Sequence, residues 1–543
     1  MKKCLFLIFL STFVLFSCAQ AVESEIQRSE DSIIMGETIE NPFTLEKAKS
    51  RGLADVLPNY YYLRLRSYDL EKISLIEESF GPLIEFPLDK KIVKGGSLYE
   101  ENLPDETHTQ WFYYVLTAED TAIALDSYEV EILQEMYISD ELIQEEENIS
   151  LESSQVKLDN NSRFLWFNYQ EVRPKGRVTV YDEIKKEYVG VPGITVYITQ
   201  WHRSISVVTD NNGNFSCNAM VSSFLQDNAL ITFWLQNTDA SIYGVCGLTP
   251  HYYTDGHTGI SGLSNKIIQL DTSSIAGKCA MALRAAFDYN ASARANGITD
   301  ARCPKVWLSD SIKGGVTLMS NPVCATLIMN SGALIGTFLG GIGTLSSAVL
   351  TFLLPDVIIG MGSKTESITY TELITHLIYH EFSHVSHYYG LPVVLNIYYW
   401  RQECFEMLGG WLEQINNGIS PSSDDFDAYN GGKSELACHI ESWAYFYGYY
   451  LMSNHYAGNK IGEEYTKLVK SGSSIHEYFY FDKYYELINM LNDKGENLFN
   501  AQKIFEAYKD INVKSLSGWI SKMEDLYAEC LNGLDLNSIF KVN

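Results

Sequence analysis

The chain has 543 residues, enough for several hydrophobic cores, and its length predicts about three or four domains. Its 68 acidic residues outnumber 40 basic ones, for a net charge of −28 and a pI of about 4.8. Such a surface repels a polyanion, which argues against nucleic acid as a partner, and most of the acidity reads as a solvated, self-repelling exterior.

Taken in chain order, Met1, Lys2 and Lys3 precede the apolar run Cys4 to Phe16, the charged and hydrophobic regions of a secretory signal. The run is too short to read as a membrane span. It ends in Leu15-Phe16-Ser17-Cys18, which resembles a bacterial lipobox. Residues 1–17 are then the signal, and lipidated Cys18 anchors the mature chain to a membrane in the cell envelope. Phe16 is a less usual occupant, so ordinary cleavage after Ala19 or Ala21 is the alternative. Residues 18–48 are expected to be a tether, because Glu23 to Asn41 is polar and acidic with no sustained apolar period. Ten cysteines occur, but after Cys4 and Cys18 the others scatter from Cys217 to Cys530 with no C-x-x-C pair. No disulfide pattern is readable from that spacing.

Residues 49–145 are predicted to form a small α+β domain. Tyr60 to Arg66 alternates as a strand, Leu70 to Ser79 is a short amphipathic helix, and Leu83 to Phe86, Gln110 to Leu116 and Tyr128 to Ile132 carry further strand signals. Residues 146–171, after the acidic run at Glu145, Glu146 and Glu147, read as a linker. From 172 to 273 the text alternates again, at Val178 and Val180 and at Ile194, Val196 and Ile198, with a glycine-containing turn at Thr209 to Phe215. The Gly176-Arg-Val-Thr-Val180 opening, the Val191 to Val196 strand and the T-D-x-x-G-x-F turn resemble the carboxypeptidase-regulatory-like, or transthyretin-like, β-sandwich. The resemblance implies a spacer or binding platform with no catalytic group.

Residues 274–543 begin with a helix through Ala280 to Phe287, then strands at Lys305 to Leu308, Gly315 to Leu318 and Asp356 to Gly360, and the region past Asn454 is helical throughout. Gly314 to Pro355 carries no charge, and Ser331 to Leu354 is long enough to span a bilayer. Such a span would put the sandwich and the following helix on opposite sides of the membrane. A buried hairpin or helix leading into an edge strand at Asp356 is the preferred expectation.

The helix after that strand carries His380-Glu381-Phe382-Ser383-His384, an H-E-x-x-H motif. Two imidazoles one turn apart with a carboxylate beside them are what a catalytic Zn2+ needs. Thr369 to Glu372 forms a capping box, Leu373 to Tyr389 has neither Gly nor Pro, and Gly390 to Pro392 is a stop. His376, His380, His384 and His387 fall within about 80° of one face at roughly 100° per residue. His380 and His384 are the candidate ligands. Glu381, aimed about 100° aside, is the candidate base that takes a proton from water, and His387 is outside the ligand set. The metzincin pattern would require histidine at position 390, which is Gly390.

A third ligand is required. Glu403 follows the motif after 18 residues, a spacing used by zinc aminopeptidases, but Glu406 flanks it without their small-residue pattern. Glu441-Ser442-Trp443-Ala444 resembles the ligand helix of many gluzincins, and the resemblance implies Glu441. Glu413, Glu435, Cys438 and His439 complete the alternatives. Tyr445, one turn beyond Glu441, either donates a hydrogen bond to an oxyanion or is a core aromatic.

Together, signal, α+β domain, regulatory-like sandwich and gluzincin-type domain resemble large zinc-protease lipoproteins of Bacteroidetes-like bacteria. The resemblance implies a multidomain fold with a zincin-like catalytic part, and a lipid-anchored metallopeptidase that hydrolyses protein or peptide substrates. A lipoprotein adhesin or glycan-binding protein using a zincin fold as scaffold is the alternative. A scaffold has no need for a carboxylate beside two zinc ligands.

Overall fold

The computed structural model describes residues 31–540 apart from 51, 54, 69, 82, 103–109, 140–170, 202, 223–227, 244–250, 310–312, 318, 320–354, 362–363, 393–434, 472–478, 494–499 and 532. The expected signal, Cys18, the greater part of the linker and the uncharged stretch Ser331 to Leu354 lie outside the described residues. No described helix is long and apolar enough to cross a membrane.

The N-terminal part runs β1 (Ile34–Thr38), α1 (Leu45–Ser50), β2 (Tyr60–Arg66), α2 (Leu70–Phe80), β3 (Lys90–Lys94), β4 (Phe112–Thr117), α3 (Ala118–Ser127) and β5 (Glu129–Met136). Its antiparallel sheet, ordered β4-β2-β5, buries Leu63, Leu65, Phe112 and Leu116 against Ile73 and Ile76 of α2 and Ala124 of α3. On the other face Arg64 and Arg66 pair across strands with Glu131 and Glu129 at 2.6 and 2.7 Å. Two sequence expectations change here. Helix α3 was not anticipated, although Thr117 caps it by accepting the Asp120 N–H at 3.1 Å. Leu83 to Phe86 meets β4 through the Tyr113 N–H and the Ile84 carbonyl at 2.8 Å rather than as a ladder, and Pro87 beside it has no N–H to give.

The expected tether ends earlier than residue 48. Asp31 accepts the Ile275 N–H at 2.8 Å, and Ile33 is buried with Phe86, Ile92, Tyr99, Leu230, Trp234 and Tyr252. β1 also pairs antiparallel with β3, and these long-range contacts do not show as a period in the sequence.

The second part contains β6 (Glu171–Val172), β7 (Lys175–Asp182), β8 (Glu187–Gly190), β9 (Thr195–Gln200), β10 (Arg203–Val208), β11 (Asn214–Ser216), β12 (Val221–Ser222), β13 (Asn228–Trp234), β14 (Ser241–Tyr243), β15 (Tyr252–Gly259) and β16 (Lys266–Leu270). One sheet is ordered β10-β9-β13-β15 and another β11-β7-β16 with β8 beside β7. Val178, Val180, Val196, Ile198, Ile231, Phe233 and Ile268 from both sheets enter one core. Trp201, after β9, seats the N-terminal sheet by packing with Tyr62, Tyr113 and Met136.

The third part runs α4 (Ile275–Ala295), β17 (Lys305–Ser309), β18 (Lys313–Thr317), β19 (Val357–Met361), α5 (Tyr370–Gly390), α6 (Glu435–His455), α7 (Lys460–Ser471), α8 (Phe481–Asp493), α9 (Ala501–Tyr508), α10 (Leu516–Tyr527) and α11 (Leu536–Ile539). The sheet is mixed, in the order β14-β17-β19-β18, with only β18 antiparallel to its neighbour. β19, expected at the edge, is interior and buried at all five positions, as its unalternated Val-Ile-Ile-Gly-Met text fits. The edge is β18. Strand β14, from the region expected as a separate sandwich, completes the opposite edge, and one apolar core runs from Val178 to Phe540. The architecture is multidomain α+β, with small sheets first and a mostly helical end.

The β7–β8 hairpin reaches the start of α5. The Thr371 N–H donates to Glu183 Oε2 at 2.9 Å, and the Glu183 N–H donates to Thr371 Oγ1 at 3.0 Å. A carboxylate there satisfies a free helix N–H and meets the positive end of the helix dipole. Replacing Glu183 with Ala is expected to cost about 0.5–2 kcal/mol in denaturant unfolding, and the same change at exposed Glu187 is expected to cost less than about 0.5 kcal/mol.

Candidate metal centre

Helix α5 starts where Thr369 accepts the Glu372 N–H at 3.1 Å and ends where the Leu391 N–H meets the His387 carbonyl at 3.2 Å. Almost every side chain from Leu373 to His387 is buried, because α4, α6 and β18 enclose the helix. Tyr289 of α4 shares a hydrogen bond with Ser386 at 2.8 Å. From α6, Trp443 is fully buried and donates its indole N–H to the Ser383 carbonyl at 3.3 Å. Trp443 also stacks on Tyr447 at 5.2 Å. Gly448 lets the two helices close: a Cβ there would lie 3.3 Å from both the N and the Cα of His380.

That approach brings three donors together. His380 Nε2 lies 3.3 Å from His384 Nε2 and 3.2 Å from Glu441 Oε2, and His384 Nε2 lies 3.4 Å from the same oxygen. A tetrahedral ion with bonds of about 2.0–2.1 Å holds its ligand atoms roughly 3.3–3.4 Å apart, so the triangle already has the size of one face of such a site. All three residues are buried, and Glu441 Oε2 makes no well-aligned hydrogen bond of its own. Burial alone would raise the pKa of Glu441, but the imidazoles of His384 and His380 hold it well below the usual carboxylate range. Two imidazoles and a carboxylate form a group that can hold a metal ion.

Glu381 points elsewhere. Its Oε2 accepts the Thr317 hydroxyl of edge strand β18 at 2.7 Å, and its Oε1 lies against Gly315, where a Cβ would approach to 2.2 Å. Burial pushes its pKa up to about 7, with Glu441 adding to the rise and His380 and the Thr317 hydroxyl opposing it. The protein therefore carries two neighbouring carboxyl groups displaced in opposite directions, one kept ionised among imidazoles and one poised to take a proton. Neither Gly315 nor Thr317 was singled out from the sequence. Glycine inside a strand was the available signal for close approach.

Among the described residues, the other candidate ligands are not part of this group. Glu403 and Glu413 are outside the described residues. Glu435 is exposed at the first residue of α6, and Cys438 is half-buried with its thiol pushed up to about 12, chiefly by burial. His439 Nδ1 is 2.8 Å from the Tyr480 hydroxyl, and its ring stacks on Tyr508 at 4.2 Å, among the C-terminal helices. His387 reaches the Tyr508 carbonyl through Nε2 at 3.1 Å, and burial lowers its pKa to about 3, so it is a neutral brace between α5 and α9. His376 packs between Tyr449 and Tyr465, with ring centroids 5.3 and 5.4 Å away. Tyr445 sets its ring 4.4 Å from that of His380 and stacks on Phe479 at 5.3 Å.

No family model matches the chain, and no curated protein or solved structure matches it either. The arrangement of His380, His384 and Glu441 therefore stands on its own geometry, which agrees with an H-E-x-x-H…E zincin site.

Because Gly448 sets the distance between α5 and α6, Gly448→Val is expected to draw Glu441 away from the histidines. Titration with Zn2+ should show metal affinity lowered by about 10–100-fold, while circular dichroism retains the helical signal.

Proposed function

We propose that the chain is a zinc-dependent peptidase in which His380, His384 and Glu441 hold the ion and Glu381 is the general base. The observation that carries the reading is the triangle of ligand atoms, 3.2–3.4 Å on each side, with a separate carboxylate beside it. A zinc ion held there supplies Lewis acidity, polarising a carbonyl and lowering the pKa of bound water to about 7. The protein's own residues do the rest. Glu381, at i+1 from His380, lies off the ligand face, takes a proton from water on a carboxylate oxygen and passes it to the departing amine. Its deep burial suits that exchange, since a carboxyl group with a pKa near 7 both accepts and releases protons at neutral pH.

A peptide substrate is supported by the edge strand. Among the described strands β18 pairs with β19, and an extended chain can add to a strand edge through backbone hydrogen bonds. That placement brings a peptide bond beside Glu381, which β18 itself contacts. Tyr445, on the face of α6 that carries Glu441, is the proposed oxyanion donor. The lipobox-like Leu15 to Cys18 supports an envelope lipoprotein, and a Cys18→Ser protein is then expected in the soluble fraction after cell breakage.

Metal content and hydrolysis separate the roles. Glu381→Gln should keep one zinc per chain and lose cleavage of a peptide library by about 10²–10⁴-fold. Glu441→Ala should lose the zinc itself. Wild-type protein that holds zinc and cleaves nothing would move the reading to the binding scaffold.

A further inference from the structure

We infer that Thr317 is a positioning residue for Glu381, and that Gly315 and Thr317 of β18 together fix which way the general base points. The inference rests on the peptidase reading above. A glutamate on a helix has three side-chain torsions, and a base free to turn among its rotamers spends little time aimed at water. Here both carboxylate oxygens have a fixed neighbour on one strand. Oε2 accepts the Thr317 hydroxyl at 2.7 Å, a distance normal for a hydroxyl donating to a carboxylate. The same hydroxyl is 3.2 Å from the Glu381 backbone carbonyl, but a hydroxyl has one proton to give, and the shorter, charged contact takes it. Oε1 rests where a Cβ on residue 315 would sit, so only glycine leaves the carboxylate its place.

The geometry also divides the labour between the two oxygens. Thr317 occupies Oε2, leaving Oε1 as the oxygen that receives the proton. Thr317 is itself buried, and β18 is held to β19 by paired residues from Lys313 to Thr317, so the anchor is part of the sheet rather than of a loop. The strand proposed to align the substrate thus also aims the base, and backbone register links the two.

The test uses the full chain with Thr317→Val, which keeps the shape and removes the hydroxyl, and Thr317→Ser, which keeps the hydroxyl and removes the methyl. Thr317→Val should lower kcat by about 10–100-fold with KM and zinc content unchanged, while Thr317→Ser retains most of kcat. Gly315→Ala should also lower kcat, because its Cβ displaces the carboxylate. A readout independent of turnover is a crystal structure of each metal-free protein. The Glu381 carboxylate should stay within about 3 Å of the residue 317 hydroxyl in wild-type and Thr317→Ser protein, and turn from β18 in Thr317→Val. A Thr317→Val enzyme with wild-type kcat, or one whose carboxylate has not moved, overturns the inference while leaving the peptidase reading intact. Loss of zinc in Thr317→Val, or a larger loss in Thr317→Ser than in Thr317→Val, overturns it in favour of a packing role. Zinc-loaded wild-type protein without hydrolysis overturns the peptidase reading and this role with it.

Discussion

The contact between α5 and α6 at His380 and Gly448 is the constraint on which the centre depends. Two helix backbones approach this closely only where a side chain is missing, and at residue 448 a single methyl would already press on His380 at 3.3 Å. Glu441 lies two turns before Gly448 on the same face of α6, so the contact that closes the helices also aims the carboxylate at the histidine pair. Trp443 braces the arrangement from the side through Ser383, and Tyr289 does so from α4 through Ser386. Were the helices apart, two imidazoles and a carboxylate would sit in an apolar core without partners, at a cost of several kcal/mol.

Enclosure has a second consequence, because every charge in a buried site feels its neighbours strongly. Glu441 and Glu381 lie on one pair of helices and are both buried, yet burial prevails at Glu381 and the imidazoles prevail at Glu441. The difference comes from which face of α5 each carboxylate meets. Glu441 faces the histidine stripe. Glu381 meets Gly315 and the Thr317 hydroxyl of β18. Two side chains of the same chemistry are thus displaced in opposite directions by position alone.

The β-rich second part packs against the helices of the centre. Its β7–β8 hairpin touches all three helices around the site: Glu183 meets Thr371 of α5, Lys185 donates to His455 of α6 at 2.9 Å, and Arg284 of α4 reaches the Gly190 carbonyl at 3.1 Å. Burial lowers the His455 pKa to about 4, so the ring is neutral and accepts from the lysine ammonium. With β14 completing the mixed sheet, the expected boundary at residue 273 is crossed by both hydrogen bonds and core.

Local text determined the parts of this protein that depend on near neighbours in the chain. The capping box at Thr369, the uninterrupted run to Tyr389 and the i, i+4 histidines specify a helix and its ligand face, and alternation specifies β2, β7 and β9. These features need only helical or strand periodicity, which a sequence carries openly. The tertiary structure decided what depends on distant segments meeting. It placed β18 at the edge and β19 inside, since strand order is set by packing after chain reversal. It drew Asp31 and Ile33 into the fold by contacts with residues more than 50 positions away. It gave Gly315, Thr317 and Gly448 their importance, because the value of a missing side chain or a lone hydroxyl exists only beside the atom it approaches. The sequence supplied the donors, and close packing of α5, α6 and β18 decided their distances.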